Sequence, residues 1–358
     1  MTNSQKALIE LVSISLGEID KLHYLQEADW TDIIRLSRIH DVAAIAFDGY
    51  KEYFNSFENK LSSKLSLDWI GNYIQIEHQI KGQISAIKDL VKIYKEVDIV
   101  PYVLKGMSLS VCYPKPFIRS SCDFDCFLIK REGYKHEEAY EEGNRILEGL
   151  GINVDRSYYK NSSFYYHGLH VENHRFCCSI KRGKSTIKLE QYLQNLIIHS
   201  NPSFIEGTNL ALPPILFQAL FLIEHANAHF LFEKMSLKNI CDWAMFRKFY
   251  CDEIEIDSFN SACATFGLKK FLDTMNHLAD YIIGDISYDG LNSLDKRVLE
   301  DTMREDVLPN NQSLQRLSKA KGMIKACWKF KALGRESMFK ELLNSISGFL
   351  FYKKISID

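Results

Sequence analysis

The stretch IRSSCDFDCFLI, residues 118–129, limits what this chain can fold into more than any other part of it. It combines β-forming aromatics and aliphatics with small residues, the composition of a short strand packed inside a protein. Residues two apart on a strand share a face, so Asp123 and Asp125 project together while Cys122, Phe124, Cys126 and Leu128 take the other. A buried unpaired carboxylate is expensive, so the aspartates require solvent, a basic partner or a cation. The fold has to supply one of these at the start of the strand.

The segments around it follow another period. SQKALIELVSISL, DWTDIIRLSRIHDVAAIAFDGYKEYF and a long stretch over 62–95 space their apolar residues by three and four and predict helices, with Asp29 as a cap. His40 and His78 fall inside these patterns and read as structural. The period changes at Asp98, where IVPYVLKG predicts a strand that delivers Lys105 and Gly106 to its C-terminal end. MSLSVCYP fits a short helix stopped by Pro114 and Pro116, and 135–150 a longer one ended by Gly151. FYYHGLHVENHRF reads as two strands or one bulged strand bent at Gly168, followed by the basic turn KRGKSTIK and a further amphipathic segment. From Pro213 onward the pattern is helical again, interrupted at GDISYDGLNSLDKR and LPNNQSLQR. The expected class is α+β, divided into an N-terminal helical region (1–96), an α/β core (97–198) and a C-terminal helical domain (199–358).

Composition excludes some functions. With 44 basic against 46 acidic residues and a net charge of -2, the surface as a whole is not built for a nucleic-acid polyanion. The most apolar run, ALPPILFQALFLIEHANAHFLF, carries Glu224, His225 and His229, so no membrane span is expected. The N-terminus reads as a mature helix without a cleavage signature. Nine scattered cysteines with no CxxC pair point to a reducing, cytoplasmic setting and to small core residues.

Two carboxylates side by side repel unless a cation lies between them, and hard ions such as Mg2+ take oxygen ligands. Arg119 and Lys105 are close in sequence and suit either phosphate recognition or simple neutralisation of the aspartates. A two-ion phosphoryl site calls for a third acid. In HVENHRF, alternation puts His170, Glu172 and His174 on one face; Glu172 is that acid if its strand lies beside the aspartate strand. The same His-Glu-His face also suits a softer ion such as Zn2+. His225 and His229, four apart on one helix face, combine with Asp242 as a zinc site, line an acceptor pocket, or simply pack. HANAH lacks the glutamate of the zinc-protease motif. KRGKSTIK reads as a solvated turn or a contact to a triphosphate.

The pattern LKGMSLSVCYPKPFIRSSCDFDCFLI, with VENH at 171–174, resembles the uncharacterised bacterial nucleotidyltransferase family of the DNA-polymerase-beta-like superfamily. The flanks DWTDIIRLSRIHDVAAIAF, LIEHANAHF and NICDWAMFR resemble its helical parts more diffusely. The resemblance implies a polymerase-beta-like nucleotidyltransferase core with a mixed sheet backed by helices. It implies Mg2+ or Mn2+ on Asp123, Asp125 and Glu172, phosphate contacts from Lys105 and Arg119, and His174 at the site edge, with Gly106 and Ser108 as substrate-binding candidates in the turn after Lys105. The implied reaction is nucleotidyl transfer from a nucleoside triphosphate to a small molecule, sugar, protein or RNA. Where better-known superfamily members carry a glycine-serine turn, this chain has Lys105-Gly106 with Ser108 two residues on. That departure keeps open a catalytically silent nucleotide- or ligand-binding protein of the same fold, and behind it a metal-dependent hydrolase using the histidines.

Overall fold

Four helices open the chain: α1 (Asn3–Leu16), α2 (Trp30–Ile39), α3 (Ala43–Phe54) and α4 (Ser63–Lys95). Their starts are chemically marked. Thr2 and Gln5 form a reciprocal capping box on α1, and Asp29 accepts the Thr31 N–H at 2.9 Å to begin α2. The computed structural model describes residues 1–17, 23–25, 29–54, 61–120, 123–130, 133, 135–180, 183–205, 208–305, 326–335, 337–340 and 343–344. The expected core role of Cys122, the Lys181-Arg182 part of the basic turn and the LPNNQSLQR interruption lie outside the described residues.

The middle of the chain builds one mixed sheet. Its elements are β1 (Ile99–Val103), the short α5 (Met107–Ser110), β2 (Asp123–Lys130), α6 (His136–Gly149), β3 (Asn161–Tyr166), β4 (Leu169–His174), α7 (Lys184–Ile198), β5 (Ser203–Phe204) and β6 (Ala211–Leu212). The spatial order is β3-β4-β2-β1-β6-β5. β2 lies antiparallel to β1 and parallel to β4, and β6 joins the far side of β1 in parallel. The sheet thus draws its last two strands from beyond residue 198. His167 and Gly168 both take positive φ (48° and 79°) in a tight turn, so FYYHGLHVENHRF is a hairpin of two strands, β3 and β4.

Both faces of the sheet are covered. Phe124, Cys126 and Leu128 of β2 pack with Val103, Phe164 and Val171 against Ile87, Leu90 and Tyr94 of α4 and Ala139 and Leu147 of α6. Gly143 permits this approach: a Cβ there would lie 2.6 Å from Leu128 Cδ1. The opposite face, where alternation assigned the aspartates, becomes apolar two residues on. Phe127 and Ile129 join Val100 and Tyr102 in the core of a helical body. The carboxylates therefore sit at the open end of a strand buried on both sides.

That body comprises α1–α3 together with α8 (Ile215–Phe232), α9 (Leu237–Phe249), α10 (Ile256–Thr265), α11 (Lys269–Ile283) and α12 (Ser293–Met303). Leu8, Leu11 and Ile45 from the first helices share one hydrophobic cluster with Phe221, Phe246, Phe271 and Val298 from the last. The helical segments on either side of the sheet in sequence are one packed unit in space. By length and composition α8 is apolar enough to cross a bilayer, but 67% of it is buried inside this unit, as a core helix requires.

Candidate active site

The backbone ladder brings the charged groups together. Leu104 N–H donates to Asp125 O at 3.0 Å, extending the β1–β2 pairing, and Gly106 (φ 76°) turns the chain immediately afterwards. Lys105, held between these two events, places Nζ 3.2 Å from Asp125 Oδ2 and 3.6 Å from Asp123 Oδ2. The parallel register sets Asp125 opposite Glu172, and Asp123 opposite His170. From the end of β4, His174 Nε2 lies 2.8 Å from Asp125 Oδ1 and 3.3 Å from Glu172 Oε2, while its Nδ1 is 3.2 Å from Phe176 O. With acceptors at both nitrogens the ring is best satisfied as imidazolium.

Ligand atoms of Asp125, Glu172 and His174 all lie within 4.8 Å of one another. Side-chain exposure grades from 1% at Asp125 and 4% at His174 to 27% at Glu172 and 35% at Asp123, so the cluster has a closed floor and an open mouth. Burial opposes charge on Asp125, yet Lys105 and the His174 hydrogen bond outweigh it and hold the carboxyl far below its usual range. The His174 hydrogen bond lowers Glu172 as well. Burial opposes the cations too, but the carboxylates raise both Lys105 and His174 above their ordinary values. Among the described residues, three carboxylates face two cations at ion-pair distance, with the charge of Lys160 acting on His174 from farther off. Among the described residues, Asp125 Oδ2 is buried without a well-aligned hydrogen bond, and the Lys105 ammonium lies 3.2 Å from it.

Other residues singled out in the sequence have other positions. His174, expected at the edge, is at the centre. Asp123 stands beside Lys105 at the rim, outside the tight three-residue group. His170 sits against Tyr165, 5.1 Å between ring centres, so the His-Glu-His face is not a shared ligand set. Ser108 Oγ is buried without a hydrogen-bond partner behind the Gly106 turn. Arg119 and Asp242 meet each other: Nε to Oδ1 is 2.7 Å and Nη2 to Oδ2 2.8 Å, and Tyr113 Oη donates to Asp242 Oδ1 at 2.7 Å. Both are almost fully buried, which puts the guanidinium expected on phosphate and the carboxylate expected beside His225 and His229 into a closed ion pair. His225 and His229 are half-buried on α8 with their Nε2 atoms 3.0 Å apart. Burial lowers His225 well below its usual value, with the positive charge of Lys105 the next cause and the negative charge of Asp125 opposing.

Two residues carried no signal that alternation could read. Lys160 precedes β3, its carbonyl accepting the N–H groups of Arg175 and Phe176, and its charge acts on His174, His225 and His229. Glu190 on α7 is wholly buried and accepts the N–H groups of Cys177 and Cys178 at 3.0 and 2.6 Å, fixing the chain just past His174. An acid on the inner face of an amphipathic helix was the one available hint of it.

The family described as uncharacterised nucleotidyltransferase matches residues 26–284. The chain belongs to this family. The match takes in every residue of the cluster, the Arg119–Asp242 pair and the α8 histidines, and it excludes α1 and α12. No curated protein and no solved structure matches the chain. Membership fits the α+β fold around one mixed sheet, and it makes nucleotidyl transfer the chemistry in whose terms the site is to be read.

Proposed function

We propose that the chain transfers a nucleotidyl group from a nucleoside triphosphate to an acceptor hydroxyl, with Mg2+ or Mn2+ held by Asp125 and Glu172 on the floor of the site and Asp123 at its mouth. The observation that carries this reading is the convergence of Asp125, Glu172 and His174 ligand atoms within 4.8 Å of one another, with a buried Asp125 oxygen that makes no hydrogen bond among the described residues and Asp123 at the rim. This is an oxygen-rich donor set with charge left for a hard divalent cation, so the residues fit the ion. When bound, such an ion neutralises charge on the transferring phosphoryl group and lowers the pKa of an acceptor hydroxyl.

The chain's own groups supply the rest. Lys105 is a point charge at the mouth, suited to a triphosphate oxygen once the carboxylates have another partner. His174 bridges Asp125 and Glu172 and fixes the orientation of both carboxylates. Catalysis is placement and electrostatics, with no covalent protein intermediate. Acceptors compatible with the site are a small molecule, a sugar, a protein or RNA, and a cytoplasmic setting supplies the triphosphate.

The test is a titration of Mn2+ and a nucleoside triphosphate into wild type and the Asp123→Ala, Asp125→Ala double variant, with pyrophosphate release measured alongside across a broad screen of hydroxyl acceptors. Wild type binds and releases; the double variant does neither. Equal binding by the variant removes the reading, and binding without release by wild type makes the chain a nucleotide-binding protein.

A further inference from the structure

The atoms gathered at the floor of the site decide what kind of ion it takes. Those that converge within 4.8 Å of one another come from two carboxylates and one imidazole, Asp125, Glu172 and His174; Asp123, which strand alternation pairs with Asp125, is not among them. His174 Nε2 lies 2.8 Å from Asp125 Oδ1 and 3.3 Å from Glu172 Oε2. These separations bracket the roughly 3 Å between neighbouring ligands of an octahedral ion whose bonds are about 2.1 Å. Asp125 adds an observation of its own: its side chain is 1% exposed, and Oδ2 makes no hydrogen bond among the described residues.

The far side of the ring is built as a metal-binding histidine requires. A ligand imidazole keeps its second nitrogen protonated on a fixed acceptor, which sets the tautomer and turns the first nitrogen's lone pair toward the ion. His174 Nδ1 lies 3.2 Å from Phe176 O. The N–H of the same peptide unit, on Cys177, donates to Glu190 Oε1 at 3.0 Å, and Cys178 N–H donates to Oε2 at 2.6 Å. Glu190 is wholly buried and also accepts from Gln194 Nε2 at 2.7 Å. A carboxylate on the N–H of a peptide makes its carbonyl a stronger acceptor, so Glu190 acts on His174 through one peptide unit.

Resting on the nucleotidyl-transfer reading, we propose that His174 is itself a ligand of the ion through Nε2, with Glu190 as its positioning residue, and that the site therefore selects Mn2+ and similar transition ions over Mg2+. In the ion-free protein a proton on Nε2 bridges the two carboxylates; the ion takes its place, and that proton leaves to water. Imidazole suits the first-row transition ions, whereas Mg2+ keeps to oxygen ligands. Without the ring, the remaining carboxylates discriminate less between the two.

The test needs no turnover. Mn2+ is bound to the full chain in mildly alkaline buffer without nucleotide, and electron spin-echo spectroscopy, with 15N-histidine labelling, looks for a directly coordinated imidazole nitrogen. Wild type shows the coupling and His174→Gln loses it. His170→Gln, His225→Gln and His229→Gln keep it, which assigns it to His174 even where His174→Gln does not fold. Affinities for Mn2+ and Mg2+ are then compared by titration calorimetry. His174→Gln loses more Mn2+ affinity than the roughly 10–100-fold typical of outer-shell changes, and much less Mg2+ affinity. Glu190→Gln loses Mn2+ affinity by about that 10–100-fold and keeps the nitrogen coupling; an unchanged affinity strikes out its role. A ring that merely aligns the carboxylates predicts equal losses for both ions, and equal losses overturn the proposal. Mn2+ bound without nitrogen coupling overturns it too and leaves the transferase reading standing. A wild type that shows the coupling yet releases no pyrophosphate removes the transferase reading and leaves the ligand assignment in place.

Discussion

Two buried ionic groups in this protein use the same kinds of residue to opposite ends. Arg119 and Asp242 form a buried bidentate pair with Tyr113 as a third partner; one charge meets one charge, while among the described residues Arg119 Nη1 makes no hydrogen bond and Asp123 acts on the same guanidinium. Asp123, Asp125 and Glu172 meet Lys105 and His174 in a cluster whose charges do not cancel and whose mouth reaches solvent. A buried pair matched charge for charge acts as a fastener. A mismatched cluster is held together by the fold despite its excess charge, and that excess is what a ligand can use.

The largest expected effect is on the unbalanced side. Asp125→Ala removes the residue that touches both cations, and Mn2+ affinity falls by more than the roughly 10–100-fold typical of outer-shell changes; titration calorimetry reads it, and an unaltered affinity would falsify the contrast. On the balanced side Asp242→Ala strands the Arg119 guanidinium in the interior at a cost of about 3–5 kcal/mol in denaturant unfolding, with metal affinity intact. Replacing both partners, Arg119→Met with Asp242→Leu, regains most of that loss, because matched apolar groups need no counter-charge.

His40 gives a third case: a buried ring with neither nitrogen hydrogen-bonded. Burial holds it down to about 4 against 6.5 when unfolded. A depressed folded value means the unfolded chain binds the proton first, so stability is complete above about pH 6.5 and declines as pH falls through 4. The loss approaches about 3 kcal/mol, and His40→Leu flattens this part of the stability-pH curve. Smallest is Tyr113→Phe, which deletes one hydrogen bond to a charged acceptor and costs about 1.5 kcal/mol, again without touching metal affinity.

What the sequence could carry of this follows from the reach of its signals. Period 2 in CDFDCF and HVENH assigns Asp125, Glu172 and His174 to strand faces, because alternation is local. That β2 and β4 are parallel neighbours is not local: α6 and β3 intervene, and only the assembled sheet puts Asp125 opposite Glu172. The same limit explains Arg119, which looks like a phosphate ligand to anyone reading residues 105–125. Its partner Asp242 is 123 residues further on, where no pattern announces it. Lys160 stands in no periodic segment at all, and the shared core of the first and last helices joins regions that composition separates at about residues 96 and 198.

That shared core bears on whether such a chain can be divided. The strands carrying the carboxylates are contiguous in the gene, and a recombination event could lift them out whole. Yet Phe127 and Ile129 of the aspartate strand rest on the same hydrophobic body that α8 and the chain's first helices complete. A fragment limited to the sheet would expose that apolar face to water, so the sheet and the helical body are expected to unfold as one unit.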